Sequence, residues 1–440
     1  MTDLRLGPLG SIEAGRDREL PPGMRVVLDA RPLQEPDRAP LTAAYLDSLL
    51  RAYDAVPIEG ESFAFLLGSD LDDPTAQFEH LTVVGRRLLP PIRLLRSAAL
   101  TVDPFLLFGA SLGAAWRAER GGAAGAVFHV VGGSLPIATS LPIVVTLLDL
   151  APWELPAAYQ RTTPSRFGQR LRARLMRDAA AVIVGSEAVA GAARSLLHVR
   201  RDRLHVVPLA PRPAFRLLDA SGDATAAAAR SDHGRTPDPR AERERLGLPE
   251  RYVVYSGRYD ARQDLVTLLR ALADMAAAGR PQTLPKDAPW PPRVLFAGAS
   301  PDDRAALARA AAREEVGDAI AYAPRLDDDR MAGLIRGARA VLLPVVADSA
   351  GLPAIEAIAC GTPVVASAVG CLPEIVGAAG ILVEPRDPAR LASALTAALA
   401  DDTVHDGLVV AARERAEATR WTWTDVARET RRVYAEVGRR

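Results

Sequence analysis

The chain has 440 residues, 54 basic and 54 acidic side chains, a net charge of zero and two cysteines, Cys360 and Cys371. That length supports two or three separate cores. The charge balance argues against broad nucleic-acid binding, and the cysteine count excludes a disulfide framework and fits a reducing compartment. A single lysine, Lys286, sits in a proline-rich stretch from Pro281 to Pro292 that reads as a surface loop, so chemistry that needs a lysine is nearly excluded.

Residues 1–23 mix Asp, Glu, Arg, Gly and Pro, lack the apolar stretch of a signal peptide and read as a disordered tail. No stretch approaches the ~20 uninterrupted apolar residues of a membrane helix. Short apolar runs then alternate with helical patterns. In the first half they are Arg25–Leu28, Ser62–Leu67, Leu81–Val84, Ala126–Val130, Ile143–Leu147, Ala181–Val184 and Leu204–Val207. In the second half they are Tyr252–Tyr255, Val294–Ala297, Ala319–Tyr322, Ala340–Leu343, Pro363–Ala366 and Gly380–Val383. Continuous runs of this kind fit parallel strands buried on both faces. Leu265, Leu268, Leu269, Leu272 and Met275 recur between them at helical spacing. The rhythm is that of a doubly wound α/β sheet, written twice.

Domain boundaries follow. A first Rossmann-like domain spans 24–212, and residues 213–240, rich in Ala, Asp, Ser, Gly and Arg beyond Leu217, read as a linker or surface insertion. A second domain spans 241–400, and 401–440 read as helical, with Trp421 and Trp423 near the middle.

The most informative stretch runs from Asp348 through Gly351, Leu352, Pro353 and Glu356 to Ser367, directly after the strand Ala340–Leu343. Gly351 permits close backbone approach, and Pro353 suits the first turn of a helix. Free N–H groups at such a helix start offer a site for phosphate or a sugar hydroxyl. Glu356, one turn in, can accept hydrogen bonds from a diol. The plainer alternative is a strand–loop–helix joint with an acidic residue near its start.

The stretch D-S-A-G-L-P-A-I-E-A-I-A-C-G-T-P-V-V-A-S resembles the donor-site signature of the family 4 (group 1) retaining glycosyltransferases, E-G-F-G-L-P-x-x-E-A-x-A-x-G-x-P-V-[VI]-A-[ST]. The likeness continues through Gly370-Cys-Leu-Pro-Glu374 and Gly380-Ile-Leu-Val-Glu-Pro-Arg-Asp387. It extends to Met24–Leu33, to Val182-Ile-Val-Gly-Ser186-Glu187, to Leu204–Ala210 and to Tyr255–Leu265. The resemblance implies the GT-B fold, two Rossmann-like domains facing a cleft with a C-terminal helix crossing back onto the first. It implies a nucleotide-sugar donor held by the second domain, retention of configuration, and neither metal nor other cofactor. By the same resemblance Glu356 would hold the donor ribose, Asp348 would reach a sugar hydroxyl, and the Gly351–Leu352 backbone would face sugar or phosphate. Arg258, with Arg262, would pair with the diphosphate. The acceptor (a glycan, a lipid-linked or a small molecule) would lie against the first domain near Arg31, Thr42 and Asp149. No general base is identified.

The chain also departs from the pattern. Asp348 stands for a glutamate and is one methylene shorter; the lysine of the donor site falls on Gln263; the histidine of T-[IV]-H-D-L is Leu148; and Arg38–Tyr45 replaces a glycine-rich turn. Fixed cations stabilise a departing phosphate, so Gln263 removes charge where it counts, although an arginine fork can grip phosphate in its place. These losses raise the alternative of a non-catalytic relative acting as a binding or scaffold subunit. His129, alone on its strand, reads as a structural histidine.

Two weaker signals remain. Asp70-Leu-Asp72 resembles the D-x-D metal site of the other glycosyltransferase architecture, but Asp before Pro is ordinary turn chemistry and no metal site is expected. Residues 161–177 carry six arginines with Phe167, Leu171, Leu175 and Met176 between them. Such a helix can lie on anionic lipid or form a solvated face beside the cleft. A cytoplasmic protein, with peripheral membrane contact through 161–177 as an option, follows from these readings.

Overall fold

The computed structural model describes residues 21–89, 125–132, 135–136, 139, 141–218, 239–257 and 259–438. The N-terminal tail through residue 20, the segment 219–238 and Arg258 lie outside the described residues.

All the apolar runs become strands, and among the described residues every strand pairs with its neighbours in parallel. Seven strands form one sheet: β1 (Arg25–Asp29), β2 (Ser62–Gly68), β3 (Val83–Leu89), β4 (Ala126–Val131), β5 (Ile143–Thr146), β6 (Ala181–Val184) and β7 (Leu204–Val206), in the order 3-2-1-4-5-6-7. Six form the other: β8 (Tyr252–Tyr255), β9 (Arg293–Ala297), β10 (Ile320–Ala323), β11 (Ala340–Leu343), β12 (Val364–Ser367) and β13 (Gly380–Val383), in the order 10-9-8-11-12-13. Both orders reverse after their first strand, which opens a crevice at the carboxyl ends of β1 and β4 and of β8 and β11. The two crevices face each other.

One strand differs from its sequence reading. The run Leu81–Val84 ends where β3 is only beginning, because β3 is an edge strand. Its outer positions are solvated and tolerate Arg86 and Arg87, and Arg86 pairs with Asp73. An apolar-run criterion stops too early on such a strand.

The tail is also not one helix. Asp402–Ala418 packs on the second domain, the chain breaks at 419–422, and a second helix, Trp423–Gly438, lies on the first domain against the helix Pro40–Ala55. Trp421 falls in the break, where its Nε1 donates to the Pro208 carbonyl at 2.8 Å. The last helix docks an apolar stripe of Val426, Ala427, Val433, Tyr434 and Val437. It also brings one buried cation: Arg431 forks onto Glu61 at 2.9 and 2.6 Å.

A buried polar chain threads this interface. Tyr53 donates to Tyr434 Oη at 3.2 Å, Tyr434 Oη lies 2.7 Å from His129 Nδ1, and His129 Nε2 lies 2.8 Å from Thr146 Oγ1. With Tyr434 donating onward, a neutral imidazole protonated at Nε2 satisfies every link. His129 is therefore a structural histidine, and burial lowers its pKa to about 3. The unfolded chain protonates near 6.5, so it binds more protons than the folded one between those values. Stability is expected to fall as pH drops through that window, by up to about 1.4 kcal/mol per pH unit. Urea denaturation of wild type and His129→Gln across the window checks this; the variant's pH dependence should be flatter.

Candidate functional site

The loop that leaves β11 is held by its own acid. Asp348 Oδ1 accepts from the Ala350 and Gly351 amides at 3.0 and 2.9 Å, and its carbonyl accepts from the Cys371 amide at 3.1 Å. The two loops meet so closely that a Cβ on Gly370 would sit 1.8 Å from the Asp348 carbonyl oxygen. Gly351 then turns left-handed, at φ 61°, and the helix Leu352–Ala359 starts with Pro353 in its first turn. Ala354 and Ile355 already donate to the Gly351 carbonyl and Pro353 has no N–H, so of the helix's first four residues only Leu352 keeps an amide outside the helix's own bonds, at the positive end of the dipole beside the crevice.

The cleft between the domains encloses about 540 Å³. From the second domain Ser256, Gly257, Arg262, Gln263, Arg325 and the segment from Ala347 to Pro353 line it, with Glu356 at its floor. The first domain contributes Leu148, Asp149 and the start of the helix Pro40–Ala55. The stretch Arg38–Tyr45 is thus largely a helix start rather than an open turn, and it offers amides at the place of the missing glycines.

Several expected donor and acceptor residues gather here. Glu356 is buried, and loss of solvation pushes its pKa up against the opposing pull of an arginine, Arg212. Arg212, from the connection between the sheets, forks onto Glu356 at 2.5 and 3.0 Å and reaches Asp328 at 2.5 Å. Asp348 is likewise pushed up by burial. Its Oδ1 is committed to its own loop, a consequence of the shorter side chain. Gln263 lines the cleft with its Oε1 accepting from Tyr255 Oη at 2.9 Å. Arg262 crosses the cleft to Asp149 Oδ2 at 2.9 Å while also gripping Asp260. Arg258 lies outside the described residues.

Two expected acceptor residues do not line the cleft. Arg31 folds back onto Asp29 at 2.8 and 2.6 Å, and Thr42 lies against Gly132. Asp70 and Asp72 sit on a surface loop whose neighbour Asp73 caps the turn at Thr75. Both cysteines are buried, and burial pushes Cys360 up to about 12, so neither is poised as a nucleophile.

Sequence reasoning missed three residues. Arg212 is one; its flanking prolines, Pro211 and Pro213, at a domain join were the available signal. Ser349 Oγ accepts from the Leu150 amide at 3.0 Å across the domain boundary. Glu374 reaches the amides of Glu187 and Ala188 at 3.4 and 3.2 Å, at the start of the first domain's helix Glu187–Leu197. The P-E and S-E motifs therefore meet as an anion on a helix N-terminus.

Residues 250–401, which carry most of this constellation, match the family model described as Glycosyl transferases group 1. Over those residues the chain is similar to the group 1 glycosyltransferases. It is 35% identical over 245 residues to a D-inositol 3-phosphate glycosyltransferase of Xylanimonas cellulosilytica, covering 54% of this chain and 52% of that protein. It is 32% identical over 248 residues to the protein of that name from Frankia alni, covering 54% and 58%. The chain thus spans little more than half the length of these curated relatives. Among solved structures, sucrose-phosphate synthase from Thermosynechococcus elongatus superposes with a TM-score of 0.67 at 22% identity, covering 94% of this chain and 98% of that one. Anabaena HepE in complex with UDP and glucose gives 0.64 at 16% identity, covering 94% and 100%. These likenesses show the two-sheet GT-B fold over most of the chain.

Gly351 is the most constrained position of the loop. An added Cβ would stand 2.2 Å from Ile375 Cδ1 and meet Cys371 Sγ at 3.0 Å, in a backbone conformation that L side chains rarely adopt. Gly351→Ala is expected to cost about 1–3 kcal/mol of stability, read by urea denaturation. An unchanged midpoint would show that the loop relaxes freely.

Proposed function

We propose that the protein is a glycosyltransferase that moves a sugar from a nucleotide-sugar to a hydroxyl acceptor with retention of configuration. One observation carries the reading: the group 1 match falls on the crevice where a helix N-terminus, a buried carboxylate and arginines converge. The helix start, with the Leu352 N–H and the positive end of the dipole, suits the diphosphate. Glu356 suits the ribose diol, and the Asp348–Leu352 loop suits the sugar. The acceptor, whether glycan, lipid-linked or small molecule, would enter from the side of Leu148 and Asp149.

In this reading the bond from the anomeric carbon to the phosphate oxygen breaks, and the bond to the acceptor oxygen forms on the same face. The acceptor's proton passes to the departing phosphate, so no side-chain base is required. Amide donors and arginines, rather than a divalent ion or other cofactor, counter the charge that develops on the leaving group. The reading places the protein in the cytoplasm. Among the described residues no helix is long and apolar enough to cross a membrane. The helix Thr163–Asp178 exposes Phe167 at 68% among Arg166, Arg170 and Arg174, which suits contact with an anionic lipid surface.

Purified protein offered UDP-, GDP- and ADP-sugars should release a nucleoside diphosphate from at least one. Glu356→Gln should lower kcat/KM for that donor by about tenfold to a hundredfold, the value of a hydrogen bond to a charged acceptor. Gln263→Lys should raise turnover by restoring a cation. Release from none of the donors by wild type, with activity appearing only in Gln263→Lys, would favour the non-catalytic binding subunit.

A further inference from the structure

Glu356 does not face the cleft alone. Arg212 meets both of its oxygens, Nε to Oε1 at 2.5 Å and Nη2 to Oε2 at 3.0 Å, and its remaining arm reaches Asp328 Oδ1 at 2.5 Å. The guanidinium carbon lies 4.8 Å from the centre of the Phe215 ring. Pro211 and Pro213 fix the backbone on either side, so the head group is held from both its stem and its face. The Glu356 side chain is 6% exposed, against 47% for Asp328, so the buried partner is the one that needs a cation most. The fork also leaves work for the carboxylate. An ionised carboxylate has about four lone-pair directions; the guanidinium takes two and the Arg212 main-chain N–H also bonds to the group, which leaves a direction open.

We propose that Arg212 is a positioning residue for the donor's ribose, fixing the plane of the Glu356 carboxylate so that the lone pair it leaves open accepts from the ribose diol. The inference rests on the donor reading above and goes beyond it. It assigns selection of a ribose diol to a side chain on the interdomain connection, outside the second domain's own motifs. A fork defines a plane, whereas an ammonium at the same place supplies charge without orientation. Without any cation the buried acid gains from taking up a proton, which converts one acceptor oxygen into a donor.

The test is calorimetry on the full chain. Wild type, Arg212→Lys and Arg212→Gln are titrated with UDP, GDP and ADP, and then with the 2′,3′-dideoxy counterpart of whichever binds. Wild type should prefer the ribonucleotide by about ten- to a hundredfold, the worth of one hydrogen bond to a charged group. In Arg212→Lys the preference should fall below about threefold while affinity for the dideoxy nucleotide changes by less than about twofold. Arg212→Gln should behave alike, and if it does not fold, Arg212→Lys decides alone. A preference that persists in Arg212→Lys overturns the inference, as does an equal loss of both affinities, which marks a merely structural arginine. A wild type that binds nucleotide without ribose preference overturns it too and leaves the donor reading standing. A wild type that binds none of the three overturns both.

Discussion

The architecture of the cleft depends on a carboxylate that caps its own turn. Asp348 gathers two amides on one oxygen and, through its carbonyl, ties the turn to the start of the next loop. That arrangement forces Gly351 left-handed and aims the helix Leu352–Ala359 at the opposite domain. If the turn opened, the helix N-terminus, the Glu356 floor and the Ser349 link to Leu150 would all move together. A buried charged group of this kind is costly unless each of its lone pairs is used, which explains why its neighbours are backbone amides that cannot rotate away.

The same loop joins the domains. Ala350 and Leu352 pack into the first domain's core, Ser349 bonds to Leu150, and Arg262 pairs with Asp149. Glu374 adds a contact further along, on the amides that start the helix Glu187–Leu197. The interface is therefore made largely by the residues that line the site. A ligand that draws Arg262 or the loop toward itself acts on the domain contact as well, because the contacts share atoms.

Most of the fold was legible because both sheets are parallel and buried on both faces. Interior strands such as Tyr252–Tyr255 and Ala340–Leu343 read as unbroken apolar runs. The edge strand Val83–Leu89 did not, since solvent lets Arg86 and Arg87 stand in it. The break at 419–422 was hidden because both flanking helices are amphipathic and the intervening Trp421 looks like core. At the site, Glu356, Asp348 and Gly351 were legible because local spacing places them. Arg212 and Glu374 were not, because their partners lie 144 and 187 residues away in the chain. Arg31 lies on Asp29 for the converse reason: the acid two residues away is its nearest partner.

Composition shapes the chemistry in one further way. With one lysine in the chain, every bridge in the cleft is made by a guanidinium, and a planar fork can serve two acids at once. Arg212 holds Glu356 and Asp328, Arg262 holds Asp149 and Asp260, and Arg325 faces Asp37. These three are the arginines among the described residues that line the cleft, and each already faces a carboxylate. Their charge is thus spent largely on preorganisation: it fixes acceptor groups and domain contacts instead of standing ready for an anion. With an amide at Gln263, the attraction for a donor's phosphates falls more heavily on the start of the helix Leu352–Ala359, on its dipole and the Leu352 N–H. That helix end carries only partial charge, but it is fixed in direction and costs no reorganisation when an anion arrives.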